Sequence, residues 1–182
     1  IDESAIQAGM AETQWPGRIQ WVPFQDAMIL IDGAHNTAAA HTLRDYVEQS
    51  EQVSRHVHWV MGMLDTKDHA DIFNALLRTG DRLSVVPVPD HQSADPHELV
   101  AIAQHLCPTL DDCRVCTDVF AALEGAMTRG GDRTAPPRDV RTASPSELES
   151  PENNEEKEAM TIVLCGSLYL IGYFFKHLRG QP

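Results

Sequence analysis

An α/β fold, with a Rossmann-like, mostly parallel sheet and helices on both faces, is predicted by three observations. Short apolar runs of strand length alternate with segments whose apolar residues recur every three or four positions. The alternation occurs five times, and βα units in series set their strands side by side with the helices on the two faces. Several strands end in polar loops carrying Gly, Asp, His or Ser, and the carboxyl ends of the strands are where open parallel sheets bind ligands.

The elements follow in order. "GRIQWVP" (17–23) alternates enough for an extra edge strand, and "AMILID" (27–32) reads as a buried strand. From Asn36 to Gln49, the residues Ala39, Leu43, Tyr46 and Val47 keep helical spacing. "VHWVM" (57–61) is the next strand. Asp68 then caps a helix with an apolar face of Ile72, Phe73, Leu76 and Leu77, stopped by Gly80. "RLSVVPV" (82–88) is followed by Asp95-Pro96-His97-Glu98, which combines an N-cap, a proline at the first helical position and an early acid. Leu99, Ile102, Ala103 and Leu106 continue that helix. "CRVC" (113–116) is a short strand, and Thr117 or Asp118 opens a helix through Met127. "TIVLC" (161–165) and a helix from Ser167 to Arg179 complete the series.

One stretch departs from the pattern. Residues 129–158 hold Pro136, Pro137, Pro145 and Pro151, and six Glu with one Lys lie between Glu147 and Glu158. Such a composition cannot bury a core and suits a solvated insertion in an otherwise single domain, 1–182. A tolerated surface loop and a docking or regulatory segment both fit it.

Bulk properties exclude some functions. With 14 Lys and Arg against 27 Asp and Glu, the formal net charge is -13, which disfavours a nucleic-acid partner. The longest apolar stretch, 161–175, is shorter than the roughly 18–20 residues that span a bilayer, and Gly166-Ser167 interrupts it, so no membrane partner is expected. Cys107, Cys113, Cys116 and Cys165 do not form a secreted disulfide framework, and a cytoplasmic setting is expected. The chain begins at Ile1 with no signal-peptide pattern, which suggests a piece of a longer protein.

Four loops, "DGAHN" (32–36), "GMLDTKDH" (62–69), "PDHQSADP" (89–96) and "GSLYL" (166–170), are expected on one edge of the sheet. In the first, Gly33 permits a tight turn and close approach of a ligand to the backbone. Asn36 or Thr37 opens a helix whose N-terminus favours an anion. Asp32 can accept from sugar hydroxyls, and His35 can donate to a phosphate or move a proton. A nucleotide or acyl-phosphate site fits these residues, and so does an ordinary βα turn with an Asn cap and a surface His. No strand is followed by GxGxxG, and no GxxxxGK[ST] occurs. The single CxxC, Cys113 and Cys116, lies within a strand with its side chains pointing apart, and no second pair completes a zinc site, so no metal ligands are assigned. His56 and His58 are expected at an edge or surface.

Taken together, "WPGRIQWVP", "ILIDGAHN", "WVMGMLDTKD" and "VLCGSLYLIG", in that order, resemble the C-terminal domain of folylpolyglutamate synthase/dihydrofolate synthase, in the Mur ligase superfamily. "PDHQSADP" resembles the dihydrofolate synthase side of that family. The resemblance covers most of the chain outside 129–158. It implies a Mur ligase C-terminal domain fold and an ATP- and magnesium-dependent ligase that turns a carboxylate into an acyl phosphate, which the amino group of L-glutamate attacks. Pteroate or folate would be the acceptor. The P-loop and the magnesium ligands would sit mainly on the central domain, the partner would be the N-terminal/central ligase domain of the same protein, and this chain alone is expected to lack activity.

By the same resemblance, Arg18 would meet the ATP phosphates and act in catalysis. Asp32 and His35 would contact the nucleotide, with His35 near the reacting end. Ser167 would help hold glutamate, and Lys67 would assist. Arg18 as a plain surface residue, Ser167 as a helix cap and Lys67 as a solvated loop charge are the structural alternatives. The chain departs from the family motif at Thr37, where proline is usual, and in its acidic insertion. A Mur-type ligase of peptidoglycan precursors, a non-catalytic nucleotide- or anion-binding module and a pure interaction domain are the competing functional readings.

Overall fold

The computed structural model describes residue 2, residues 15–129 and residues 160–178. The acidic insertion expected at 129–158 lies outside the described residues except for Arg129. Six strands form one sheet: β1 (Gln20–Phe24), β2 (Ala27–Ile31), β3 (Val57–Met61), β4 (Arg82–Val85), β5 (Asp112–Val115) and β6 (Thr161–Cys165). Among the described residues five helices accompany them: α1 (Thr37–Gln49), α2 (His69–Leu76), α3 (Pro96–Leu106), α4 (Val119–Arg129) and α5 (Leu168–Leu178). The spatial order is β1-β2-β6-β3-β4-β5. β2, β6, β3, β4 and β5 run parallel, and β1 pairs antiparallel with β2 as the expected edge strand.

The two faces of the sheet bury separate cores, because side chains alternate along a strand. Leu30, Trp59, Met61, Leu83, Val163 and Cys165 pack beneath α1, α2 and α3. Ile29, Ile31, Val60, Ile162 and Leu164 pack beneath α4 and α5. Cys113 packs against the first core and Cys116 against the second, as expected for residues three apart in and just after a strand. Burial pushes the Cys113 thiol up to about 11, which keeps it protonated and unreactive.

Two expectations are corrected. His58 is not at an edge: it is 1% exposed, because β6 returns to pair beside β3 and makes β3 central. Its Nε2 lies 2.9 Å from Ser84 Oγ. α2 stops at Leu76 rather than at Gly80. Leu77 is extended with its N–H on Phe73 O, and Arg78 Nη1 donates to the carbonyls of Asn74, Ala75 and Leu77.

That early stop brings Asp81 inside, fully buried. Its carboxylate accepts from Val57 N, Trp59 Nε1, Arg78 N and Arg44 Nη1 at 2.9–3.1 Å. One side chain thereby joins α1, β3 and the entry to β4. A buried carboxylate this well supplied with donors is tolerated, whereas an unpaired one is costly.

Candidate active site

The ends of the parallel strands carry the four polar loops, and the backbone ties them together. Asp32 N donates to Leu164 O, and Gly166 N donates to Ala34 O, which joins the loops after β2 and β6. Ala94 N donates to Met63 O, and Asp65 N to Gln92 O, which joins the loops after β3 and β4.

The loop preceding β1 is pinned onto the one following β2. Gly33 N donates to Gly17 O at 2.7 Å, and Ile19 N donates to Asp32 Oδ2 at 2.9 Å. Asp32 Oδ1 accepts from Ala34 N at 2.8 Å. Arg18, between the two pinned residues, is exposed beside this junction and has no ion pair among the described residues. Asp32 is 5% exposed, and burial pushes its carboxyl above the ordinary range. The N–H groups of Ile19 and Ala34, then the charges of Arg18 and His35, oppose that rise. Both oxygens of Asp32 accept from the backbone, which fixes its carboxylate between the loop carrying Arg18 and the turn carrying His35.

Gly33 sits where a larger residue does not fit easily: an added Cβ would lie 2.4 Å from Leu168 Cδ2. The absent side chain lets the start of α5 lie against the turn. His35 is half-buried, and its Nδ1 is 2.7 Å from Gly33 O. A carbonyl only accepts, so Nδ1 carries a proton and Nε2 is the atom left for a ligand. Asn36 caps α1, its Oδ1 accepting from Ala39 N at 2.9 Å. The N–H groups of Thr37 and Ala38 then open the helix without a partner among the described residues. Thr37, at the position where the related motif has proline, enters the helix as its first residue.

Among the expected site residues, Arg18, Asp32 and His35 come together through these bonds. Ser167 adjoins them through the Gly166–Ala34 bond. It is 3% exposed and its Oγ accepts from Tyr169 N at 3.2 Å, so it caps α5. Its O–H proton remains available to a ligand. Lys67 lies on the separate loop after β3, where its N–H turns back to Leu64 O, and its ammonium has no ion pair among the described residues. Among the described residues no group of three or more His, Cys, Asp or Glu is arranged to hold a metal.

The rim holds features that sequence reasoning did not single out. Trp15, Leu168 and Tyr169 are 73%, 47% and 53% exposed. They adjoin the site: Arg18 N donates to Trp15 O, Leu168 covers Gly33, and Tyr169 stacks on His91 with ring centroids 3.7 Å apart. All three lie in "WPGR" or "GSLYL", but apolar residues in a motif do not declare their exposure.

Comparison with known proteins gives a consistent relationship. The family described as "Dihydrofolate synthetase, C-terminal domain" matches residues 18–177. The probable dihydrofolate synthetase of Schizosaccharomyces pombe is 28% identical over 187 residues, covering 96% of this chain and 37% of that protein. The dihydrofolate synthetase of Saccharomyces cerevisiae is 23% identical, covering 99% of this chain and 40% of the yeast protein. Among solved structures, Mycobacterium tuberculosis folylpolyglutamate synthase complexed with ADP superposes with a TM-score of 0.73 at 22% identity, over 100% of this chain and 36% of that one. The bifunctional folylpolyglutamate synthase/dihydrofolate synthase of Yersinia pestis, complexed with AMPPNP and Mn ion, gives 0.64 at 21% identity, over 98% and 35%. These structural matches establish a shared fold. The chain spans well under half the length of each of these proteins.

Proposed function

Because the chain belongs to the dihydrofolate synthetase C-terminal domain family, we propose that it is the C-terminal domain of an ATP-dependent ligase joining L-glutamate to dihydropteroate or folate through an acyl phosphate. The observation that carries this reading is the Asp32–Ile19 pin, which holds Arg18, His35 and the N-terminus of α1 at one junction.

Those three groups suit a polyphosphate. Arg18 offers a guanidinium fork without a competing ion pair, and the open N–H groups of Thr37 and Ala38 add a positive helix end. Phosphoryl transfer depends on positioning and charge stabilisation, and an Arg poised at the nucleotide supplies both. His35, its Nδ1 held by Gly33 O, directs Nε2 to the reacting end. The Ser167 hydroxyl and the Lys67 ammonium are assigned to the carboxylates of glutamate. Magnesium, when bound, neutralises charge on the phosphates, and its ligands belong to the other domains of the full-length enzyme.

The exposed Trp15, Leu168 and Tyr169 give an apolar rim for those N-terminal and central domains to close on. Closure excludes water from the acyl phosphate. Among the described residues no helix is long and apolar enough to cross a membrane. The four free cysteines suit a reducing, cytoplasmic compartment.

The test is turnover by the full-length protein with ATP, L-glutamate and dihydropteroate or folate, against the same assay with muramyl-peptide acceptors. Amide formation with the pterin acceptors supports the reading. Turnover confined to muramyl peptides, or none with either, rejects it.

A further inference from the structure

A polar cavity of about 420 Å³ lies by the amino-terminal ends of β3 and β4, whereas the candidate active site lies at the carboxyl ends of the strands. The C-terminal ends of α1 and α2 and the chain entering β3 flank it, and it opens to solvent. Arg44, Arg55, Arg78 and His56 line it against one carboxylate, Glu48. In a chain of formal net charge -13 this is a local reversal of sign.

Part of that charge serves the fold. Arg44 Nε bonds Glu48, and its Nη1 bonds Leu76 O and Asp81. Arg78 Nη1 caps the last carbonyls of α2. Donors remain after these bonds, since a guanidinium carries five N–H. Arg44 is 5% exposed, yet its Nη2 has no partner among the described residues. The one fully enclosed side-chain nitrogen or oxygen without a partner, among the described residues, is Arg114 Nη2. Arg44 Nη2 is therefore open to solvent, and the cavity is the space its side chain lines. Arg55 is exposed with no ion pair among the described residues. The Arg78–Glu48 pair, at 3.3 Å, is about half exposed on both sides. Pairs of that kind contribute only about 0–1 kcal/mol, so a better oxyanion draws Arg78 from Glu48 at little cost while Glu48 keeps its 2.7 Å bond to Arg44 Nε.

We propose that this cavity binds a phosphate-bearing small molecule, gripped by Arg44, Arg55 and Arg78. Guanidinium forks match phosphate oxygens two at a time. The volume is in the range of roughly 300–1,000 Å³ typical of small-ligand pockets and exceeds that of a bare phosphate. Val47 and Val53 offer an apolar wall to the remainder of the ligand. The assignment does not depend on the ligase reading, because no residue is common to the two sites.

Calorimetric titration of the full-length protein with glycerol phosphate and with inorganic phosphate, at ionic strength held constant with chloride, tests it. Acetate serves as the carboxylate control. The expected result is saturable glycerol phosphate binding that Arg55→Glu weakens at least roughly tenfold and Arg18→Ala leaves unchanged. Inorganic phosphate should bind more weakly at the same place. Arg55 is exposed and has no ion pair among the described residues, so the variant should fold, which an unchanged melting temperature checks. Absence of binding up to about 10 mM, equal binding of acetate, or loss in Arg18→Ala with none in Arg55→Glu overturns the proposal.

Discussion

Asp32 and Ile19, thirteen residues apart, are joined by a 2.9 Å hydrogen bond from the Ile19 amide to Asp32 Oδ2. That bond sets the loop carrying Arg18 against the turn carrying His35. Asp32→Asn keeps the shape but turns an NH2 group toward one of the two donors, Ile19 N or Ala34 N. The expected cost is about 1–3 kcal/mol in stability, read from urea unfolding, with a fall in turnover as the Arg18 loop loosens.

The same carboxyl makes stability depend on pH. Burial raises its folded value above 3.8, so between 3.8 and the raised value the folded protein holds more protons than the unfolded chain. Within that window the contribution of Asp32 to stability grows as pH falls and is lost as pH rises. The difference in unfolding free energy between wild type and Asp32→Asn across the acid range should show this slope.

Asp81 is a structural counterpart at the amino-terminal end of the strands, just before β4. Asp81→Ala leaves the guanidinium of Arg44, 5% exposed, without its buried partner and strips acceptors from Val57 N and Trp59 Nε1. Removing one member of a buried pair typically costs about 3–5 kcal/mol. A drop of that size in unfolding free energy is expected, while Asp81→Asn, which retains an acceptor, should lose less.

Gly33 and Leu168 should be coupled. Gly33→Ala sets a methyl 2.4 Å from Leu168 Cδ2, the far end of a flexible side chain, so Leu168 must change rotamer at a cost of about 0.5–1.5 kcal/mol. Leu168 is 47% exposed, so Leu168→Ala should be mild alone and should restore much of the loss in the double variant. A double-mutant cycle on unfolding free energies reads the coupling directly.

His35 is expected to matter to the reaction more than to the fold. Nδ1 is satisfied by Gly33 O within the loop, and the ring is only half-buried. His35→Ala in the full-length enzyme should lower kcat by at least about 10²-fold, the scale of a positioned acid or base, with little change in melting temperature.

Much of this architecture was legible in the sequence because it rests on short-range periodicity. The extra edge strand, the five parallel strands and the caps at Asn36 and Asp95 follow from patterns within a few residues. What was not legible depends on pairing across the chain. Nothing local says that β6 inserts beside β3, and that insertion buries His58. Gly80 marks a turn, but the four donors that draw Asp81 inward and end α2 early come from α1, β3 and the loop after α2. At the site, the motifs named Arg18, Asp32 and His35, while the engagement of both Asp32 oxygens by backbone amides needed coordinates.

The account turns on Arg18 as the charge that this domain delivers to the nucleotide. Single-turnover ligation by the full-length enzyme, wild type against Arg18→Ala, addresses it most directly. The account predicts a loss of about 10²–10³-fold in the chemical step, the scale found when one preorganised charge stabiliser is removed, with the melting temperature unchanged. A rate within twofold of wild type would contradict it.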